Sequence, residues 1–254
     1  LLRWGGLRRH MNVLVVGAGS MGQWFARVMR EESGGTIAFT DTDDAAARTA
    51  TDAVGGRAVP TDTEEPFDLV CLAVPMPVAS VAIEEYAPLA RSAVVDVTGS
   101  MAGPLAAMTE TVPDRQRASL HPLFAPANAP GSVAVVTAAG GETTDAVLDA
   151  VAAAGNEPFE TTAEEHDTAM ESVQAGAHAA VLAYAMATEE VPEQFHTPVS
   201  AGLESLVTQI LGGEARVYAD IQSTFEGADD IAAAARTIAD ADRESFTALY
   251  DDLS

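Results

Sequence analysis

The chain contains no lysine. Its 13 basic residues are all arginine, they face 38 Asp and Glu, and the formal net charge of the 254 residues is -25. A surface this negative repels phosphate backbones and anionic headgroups, so neither nucleic acid nor a membrane surface is expected as a partner. The one cysteine, Cys71, cannot form a disulfide within the chain. Set in the apolar run 69–74 it reads as a small buried hydrophobe, and no metal cluster is expected. No apolar run nears the roughly 18 residues that a membrane-spanning helix needs. Residues 1–10 are basic and lack a continuous apolar stretch, so they read as an extension ahead of a start at Met11 rather than a secretory leader. The expected location is cytoplasmic.

What the chain does have is a 48% hydrophobic composition, enough for a large core, which makes the acid excess a property of the surface. An acidic, lysine-free surface suits a saline cytoplasm. Molar salt shrinks the Debye length to about 3 Å and screens the self-repulsion. A halophilic source is the expectation.

Short, β-branched apolar runs occupy residues 13–16, 37–39, 69–74, 94–97 and 133–136. Bounded by turn residues, they fit strands buried on both faces. Residues 21–30, 42–53, 78–89 and 143–153 lie between them, each long enough for a crossover helix. This alternation predicts an α/β fold with a Rossmann-like, doubly wound parallel sheet. The texture changes near Thr161. Two overlapping capping boxes, Thr161 with Glu164 and Thr162 with Glu165, open an alanine-rich helical pattern running to about Glu190. Pro192 and Pro198 interrupt it, and helical patterns resume at 201–211 and 229–249. The expected organisation is a nucleotide-binding domain, 11–160, followed by an all-helical substrate and dimerisation domain, 161–254. The second is too thin for an ordinary core of its own, so a homodimer is expected.

The first strand runs into Gly17-Ala18-Gly19-Ser20-Met21-Gly22. In a dinucleotide fingerprint the first glycine makes the tight turn, the second admits the pyrophosphate, and the third lets helix pack on strand. Ser20 and Met21 then open a helix whose free N–H groups face the phosphates. The second strand ends at Asp41, 24 residues after Gly17, where a carboxylate can accept from the adenosine ribose hydroxyls. Asp43 and Asp44 follow and the nearest cation is Arg48, so a 2′-phosphate would meet three acids and NAD is favoured over NADP. A cap on the helix starting near Thr42 is a compatible second reading of Asp41. Val74 and Pro75, at the end of a later strand, should line the cofactor groove with their backbone.

The histidines are His10, His121, His166, His178 and His196. His121 ends the short apolar run 118–120 and is pinned by Pro122, a placement suited to proton transfer near neutral pH. A loop histidine without a duty is the alternative reading. On the helical pattern after Thr162, Gln174 and His178 are four apart and share a face of a regular helix. Taken alone, His178 reads more readily as a core histidine. On a straight helix His166 is turned away from His178, so the two are not expected to chelate a metal.

Together these segments resemble the prephenate and arogenate dehydrogenase family. The likeness runs from about Val13 to Leu249. It rests on the glycine fingerprint, the run His121-Pro-Leu-Phe-Ala-Pro, Glu165-His166-Asp167 with Gln174 and His178, and Tyr218-Ala-Asp220-Ile221. The resemblance implies NAD-dependent oxidative decarboxylation of prephenate to 4-hydroxyphenylpyruvate for tyrosine synthesis, with hydride leaving C4 as carbon dioxide departs. It implies that His121 accepts a hydrogen bond from the substrate hydroxyl, that His178 and Gln174 line the substrate pocket, and that the helical domain dimerises. The family's Asp-x-x-Ser-Val-Lys stretch is here Asp96-Val-Thr98-Gly99-Ser100-Met101, without the lysine. Ser100 and Thr98 take its place as catalytic and substrate-binding candidates. Where relatives carry a carboxylate-binding arginine this chain has Gln209, a neutral amide that cannot form the bidentate pair. Arg216 is the candidate replacement, and a surface residue balancing Glu214 is the competing reading. Arogenate as substrate, or a catalytically silent NAD-binding protein of the same fold, are the alternatives. Lysine-dependent hydroxyacid dehydrogenases and ketopantoate reductases are disfavoured by the missing lysine, and a deazaflavin-dependent NADP reductase by Asp41.

The charge reading makes one direct prediction. The melting temperature should climb as KCl is raised from about 0.1 M to about 2 M, where screening becomes short-ranged. A flat or falling trend in differential scanning fluorimetry would remove the halophile reading.

Overall fold

The computed structural model describes residues 10–189 and 191–253. Residues 1–9 of the expected N-terminal extension, and Glu190 at the expected end of the long helix, lie outside the described residues. Two compact units divide between His166 and Asp167.

In the first unit the order is β1 (Asn12–Val16), α1 (Ser20–Val28), β2 (Thr36–Thr40), α2 (Asp44–Val54), β3 (Arg57–Ala58), β4 (Phe67–Leu72), α3 (Ala79–Tyr86), β5 (Ala90–Asp96), α4 (Ala102–Thr111), β6 (Gln116–Pro122), β7 (Ser132–Ala139), α5 (Glu142–Ala153) and β8 (Glu157–Glu160). The strands form one eight-stranded sheet in the order β3-β2-β1-β4-β5-β6-β7-β8. Alternation along each strand divides the core. Val13, Val15, Phe39, Leu69, Cys71 and Val95 face one side, where Phe25, Ala50 and Val147 of α1, α2 and α5 cover them. Leu14, Val16, Val70, Leu72 and Val94 face the other, under Ile83 of α3 and Met108 of α4. Burial on both faces is why these strands read as unbroken apolar runs.

The sheet departs from the all-parallel expectation at one edge. β6 and β7 are antiparallel, and β8 then runs parallel to β7. The reason lies in the connection: only residues 123–131 separate the two strands, fewer than a parallel crossover requires. Strands β3 and β8 carried no apolar run. They are short, largely exposed edges, Arg57–Ala58 and Glu157–Glu160. The first helix is also shorter than the pattern 21–30 suggested, since a π-helical segment, Met29–Ser33, takes over and ends at Gly34 with φ +72°.

The chain crosses into the second unit within α6 (Ala163–Met170), which continues through a π-helical segment, Glu171–Gly176, into α7 (Ala177–Ala187). Of the two expected capping boxes the second is partly made: Thr162 Oγ1 accepts from the Glu165 N–H at 3.1 Å, while the Glu165 carboxylate accepts from the Thr161 hydroxyl at 3.0 Å. Helices α8 (Pro198–Leu211), α9 (Ala215–Thr224), α10 (Ala228–Asp240) and α11 (Arg243–Asp252) follow. The pattern 229–249, expected as one helix, is broken at Ala241, because the Asp242 carboxylate accepts from the Ser245 N–H and starts a new helix there.

Candidate functional site

The carboxyl ends of β1, β2, β4, β5 and β6 carry the candidate residues of the first unit, at the edge where a doubly wound sheet places its ligands. The glycine-rich turn lies on it. Gly17 has φ +96°, and a Cβ there would stand 2.4 Å from the Ala73 carbonyl oxygen, so the turn closes only without a side chain. A Cβ on Gly22 would stand 2.1 Å from the Gly17 carbonyl oxygen. Around Gly19, by contrast, a Cβ would meet nothing within 4 Å, and Gly19 and Ser20 are exposed at the N-terminus of α1. The three glycines divide the labour that the fingerprint implies, and the open one is where a pyrophosphate would approach.

Asp41 is tied into that turn. Its carboxylate accepts from the Ala18 N–H at 2.7 Å and from the Asp43 N–H at 2.9 Å. The helix cap is Asp43, which accepts from the Ala45 N–H at 2.8 Å, so the capping reading of Asp41 is corrected. A carboxylate has about four acceptor sites, and the remaining two suit ribose hydroxyls. Val74 and Pro75 lie just beyond the end of β4, half-buried; the strand itself stops at Leu72, after which the Ala73 N–H donates to the Val16 carbonyl. They adjoin the turn: the Val74 nitrogen is 3.2 Å from the Cβ position of Gly17.

His121 is buried on β6, and its Nδ1 is 2.9 Å from Nε2 of His166, also buried, the rings meeting edge to face. Its Nε2 faces the turn after β5, lying 3.5 Å from where a Cβ of Gly99 would be. That turn carries Thr98 and Ser100, both half-buried, and leads into α4. Asp96 ends β5 with no exposed surface; its Oδ1 accepts from the Thr98 N–H and hydroxyl at 3.1 and 2.8 Å, and its Oδ2 has no hydrogen-bond partner. Burial outweighs the Thr98 hydrogen bonds, the Ser119 hydroxyl and the neighbouring His166, and pushes the carboxyl up to about 7. Neither His166 nor Asp96 stood among the expected site residues. The Glu165-His166-Asp167 segment marked His166, but sequence spacing cannot show that it meets His121, which is 45 positions away.

In the second unit Gln174 lies within the π-helical segment and His178 near the start of α7, so the helix that carries both is not the regular one expected. The Ala175 carbonyl of that segment accepts from the Gln222 amide at 2.8 Å. His178 stacks edge to face on Tyr218 at 5.0 Å, its Nδ1 is buried without a hydrogen-bond partner, and burial lowers its pKa, in favour of the uncharged ring. Arg216 stands at the start of α9 in an exposed ion pair with Glu214 at 3.8 Å. Gly212 and Gly213 separate α8 from α9, so Arg216 does not share a helix with Gln209. This is the surface arrangement weighed against the anchor reading.

No protein-family profile matches the chain. The 4-amino-4-deoxyprephenate dehydrogenase of Streptomyces pristinaespiralis is 32% identical over 271 residues, covering 95% of this chain and 89% of its own. The fold is similar to that of Aquifex aeolicus prephenate dehydrogenase in complex with hydroxyphenyl propionate and NAD+, with a TM-score of 0.71 and 18% identity over 90% of this chain and 87% of that one. Synechocystis arogenate dehydrogenase gives a TM-score of 0.65 and 15% identity over 91% and 90%. The two structures speak for the fold, and the Streptomyces relative for kinship: the chain belongs to the prephenate and arogenate dehydrogenase family.

Proposed function

We propose that the chain catalyses NAD-dependent oxidative decarboxylation of prephenate to 4-hydroxyphenylpyruvate, in the cytoplasm of a salt-adapted cell. The observation that carries this reading is the placement, along one edge of one sheet, of an open glycine turn and of a buried histidine whose Nε2 faces the adjoining turn. The exposed N–H groups at Gly19 and Ser20 and the Asp41 carboxylate are the groups that would hold the dinucleotide. NAD, when bound, supplies the hydride acceptor. His121 would accept the proton of the C4 hydroxyl at Nε2, while Thr98 and Ser100, on the turn it faces, supply hydroxyls to orient the ring. Aromatisation provides the driving force, so the protein's part is alignment and proton transfer. In the helical unit His178, whose uncharged form burial favours, and Gln174 are proposed to line the substrate pocket, with Arg216 as candidate carboxylate anchor.

The Streptomyces relative favours one second reading, an amine in place of the hydroxyl at C4. NADH absorbance assays in molar KCl with prephenate, arogenate and 4-amino-4-deoxyprephenate separate the readings. Turnover of prephenate supports the first, turnover of the amine alone supports the second, and no turnover with any leaves the silent protein. His121→Asn should retain NAD binding and melting temperature but lose about 10²–10⁴-fold in kcat, the usual worth of a general base. Wild-type kcat in that variant would return His121 to a structural role.

The cofactor preference is testable separately. Asp41→Asn keeps an acceptor for the Ala18 N–H but removes the charge that opposes a 2′-phosphate. The NAD-over-NADP ratio of kcat/KM should fall by about tenfold or more, about 1.4 kcal/mol. Equal use of both cofactors by the wild type would defeat the NAD assignment.

A homodimer formed through the helical unit is proposed as well. Met186, Val199, Leu211 and Leu253 are 88%, 75%, 67% and 89% exposed, and few apolar side chains of the described residues there are buried. Such a surface is the mark of a face that a partner covers. Sedimentation velocity in molar KCl should give twice the chain mass, and Met186→Asp with Leu211→Asp should shift it toward the monomer. A wild-type monomer at micromolar concentration would overturn the proposal.

A further inference from the structure

Two neutral imidazoles in hydrogen-bond contact share a single proton, so one ring must donate and the other accept. If His121 is to take a proton at Nε2, its other nitrogen carries the hydrogen and donates to Nε2 of His166 across the 2.9 Å contact. His166 then has an open lone pair only toward His121, and both rings are buried, which holds them in this pairing. His166 comes from α6 and His121 from β6, so the contact joins the helix to the end of the strand within the first unit. The fully buried Asp96 lies close enough to interact with the charge on His166, with one carboxylate oxygen lacking a hydrogen-bond partner.

We propose that His166 is a positioning residue and proton relay for His121, so that the charge produced by proton abstraction comes to rest on His166 within the field of Asp96. The proposal rests on the reading of His121 as the base. In the step, the substrate O–H bond breaks and an Nε2–H bond forms on His121. The Nδ1–H bond of His121 breaks and an Nε2–H bond forms on His166, which becomes the imidazolium. Bound NAD would supply the hydride acceptor; once carbon dioxide has left, the relay reverses and returns the proton to the product's phenolate oxygen. Two neutral rings therefore open and close each turnover. The other groups that bear on the pair are the Ser119 hydroxyl on β6, opposite Asp96 in the β5·β6 register, the Cys71 thiol on β4, which interacts with Asp96, and Glu165 and Asp167 beside His166 on α6. The Glu165 carboxylate is engaged by the Thr161 hydroxyl.

The sign of the pH effect follows. An ionised Asp96 favours the cationic pair, so removing His166 as the second site for the charge makes His121 harder to protonate and moves its titration to lower pH. His166→Gln places an amide near the position of Nε2 that can accept the His121 hydrogen but cannot take a proton; His166→Phe fills the space without either. Kinetics with prephenate in molar KCl should show kcat reduced about tenfold or more in His166→Phe, with KM for NAD unchanged, because general-base assistance as a whole is worth about 10²–10⁴-fold. His166→Gln should recover part of kcat, and the acid limb of its profile should shift downward. Nitrogen-15 spectra of the histidine rings test the pair without substrate. The wild type should show the Nδ1–H form of His121 and two coupled titration steps, and His166→Gln a single step for His121 at lower pH. Identical His121 titrations in wild type and His166→Gln, or an Nε2–H form of His121 in the wild type, would overturn the relay. If the ring spectra agree with the proposal while no substrate is oxidised, the pairing stands and the prephenate reading fails.

Discussion

Burial of the sheet on both faces is the constraint from which the rest of the first unit follows. With Val13 and Val15 under one layer of helices and Leu14 and Val16 under the other, no polar side chain is easily placed along the middle of a strand. Unpaired backbone groups and most polar side chains thereby gather at the strand ends, Ser119 and Arg117 within β6 being buried exceptions. The carboxyl edge gathers them: the turn after β1, Asp41 after β2, Thr98 and Ser100 after β5, and His121 at the end of β6. The glycine turn fits there because Gly17 has no side chain to strike the Ala73 carbonyl, and β1 and β4 stay in register to their ends. Core packing and cofactor geometry therefore depend on the same residues.

This coupling also explains what could be read directly from the amino-acid order. Strands buried on both faces are continuous apolar runs, and the central strands were visible for that reason. The fingerprint glycines were visible because each answers a steric demand that recurs wherever a strand turns into a helix over a phosphate. The edge strands were not, since Arg57–Ala58 and Glu157–Glu160 bury little and carry no pattern. The reversal at β7 had a signal that spacing alone contains: residues 123–131 leave no room for a crossover. The π-helical segments at 29–33 and 171–176 had none, because one inserted residue in the hydrogen-bond ladder leaves composition unchanged. The helical run that holds Gln174 and His178 was legible, whereas the π-helical turn between them was not. His121 could be picked out from its strand-end position, but its partner His166 required tertiary structure, as no local period joins residues 45 apart.

The helical unit obeys a different balance. Its helices are short and several are alanine-rich, the buried apolar side chains among the described residues are few (Met170, Ala175, Ile210, Ile221 and Phe225), and large side chains from α7, α8 and α11 stand open. An amphipathic helix is stabilised mainly by tertiary packing of its apolar face, and these faces have little to pack on within their own unit. Acidic charge elsewhere on the surface does not cover these apolar faces, since the two properties reside in different side chains. The thinness of this part was legible in the sequence, whereas the particular residues left open were not.

Asp96 brings the energetics back to the strand ends. A carboxyl with no exposed surface and one unpartnered oxygen resists ionisation, and its shift to about 7 has a definite sign for stability. Because the folded-state value lies above the unfolded one, its contribution is most favourable below the ordinary carboxyl range, declines as pH rises toward 7, and is flat beyond. Near neutrality the group is thus a liability to the fold by itself. Thr98 partly offsets that cost through its N–H and hydroxyl, which also fixes the turn facing His121. Further compensation comes from the Ser119 hydroxyl on β6 and from His166, whose charge interacts favourably with the carboxylate. A neutral histidine supplies nothing of that kind and a protonated one supplies it fully, so the carboxylate and the histidine pair favour each other's charged states. A buried acid that weakens the fold at rest thereby becomes favourable at the moment a proton arrives on the histidines, which is the order of events a base at this strand end requires.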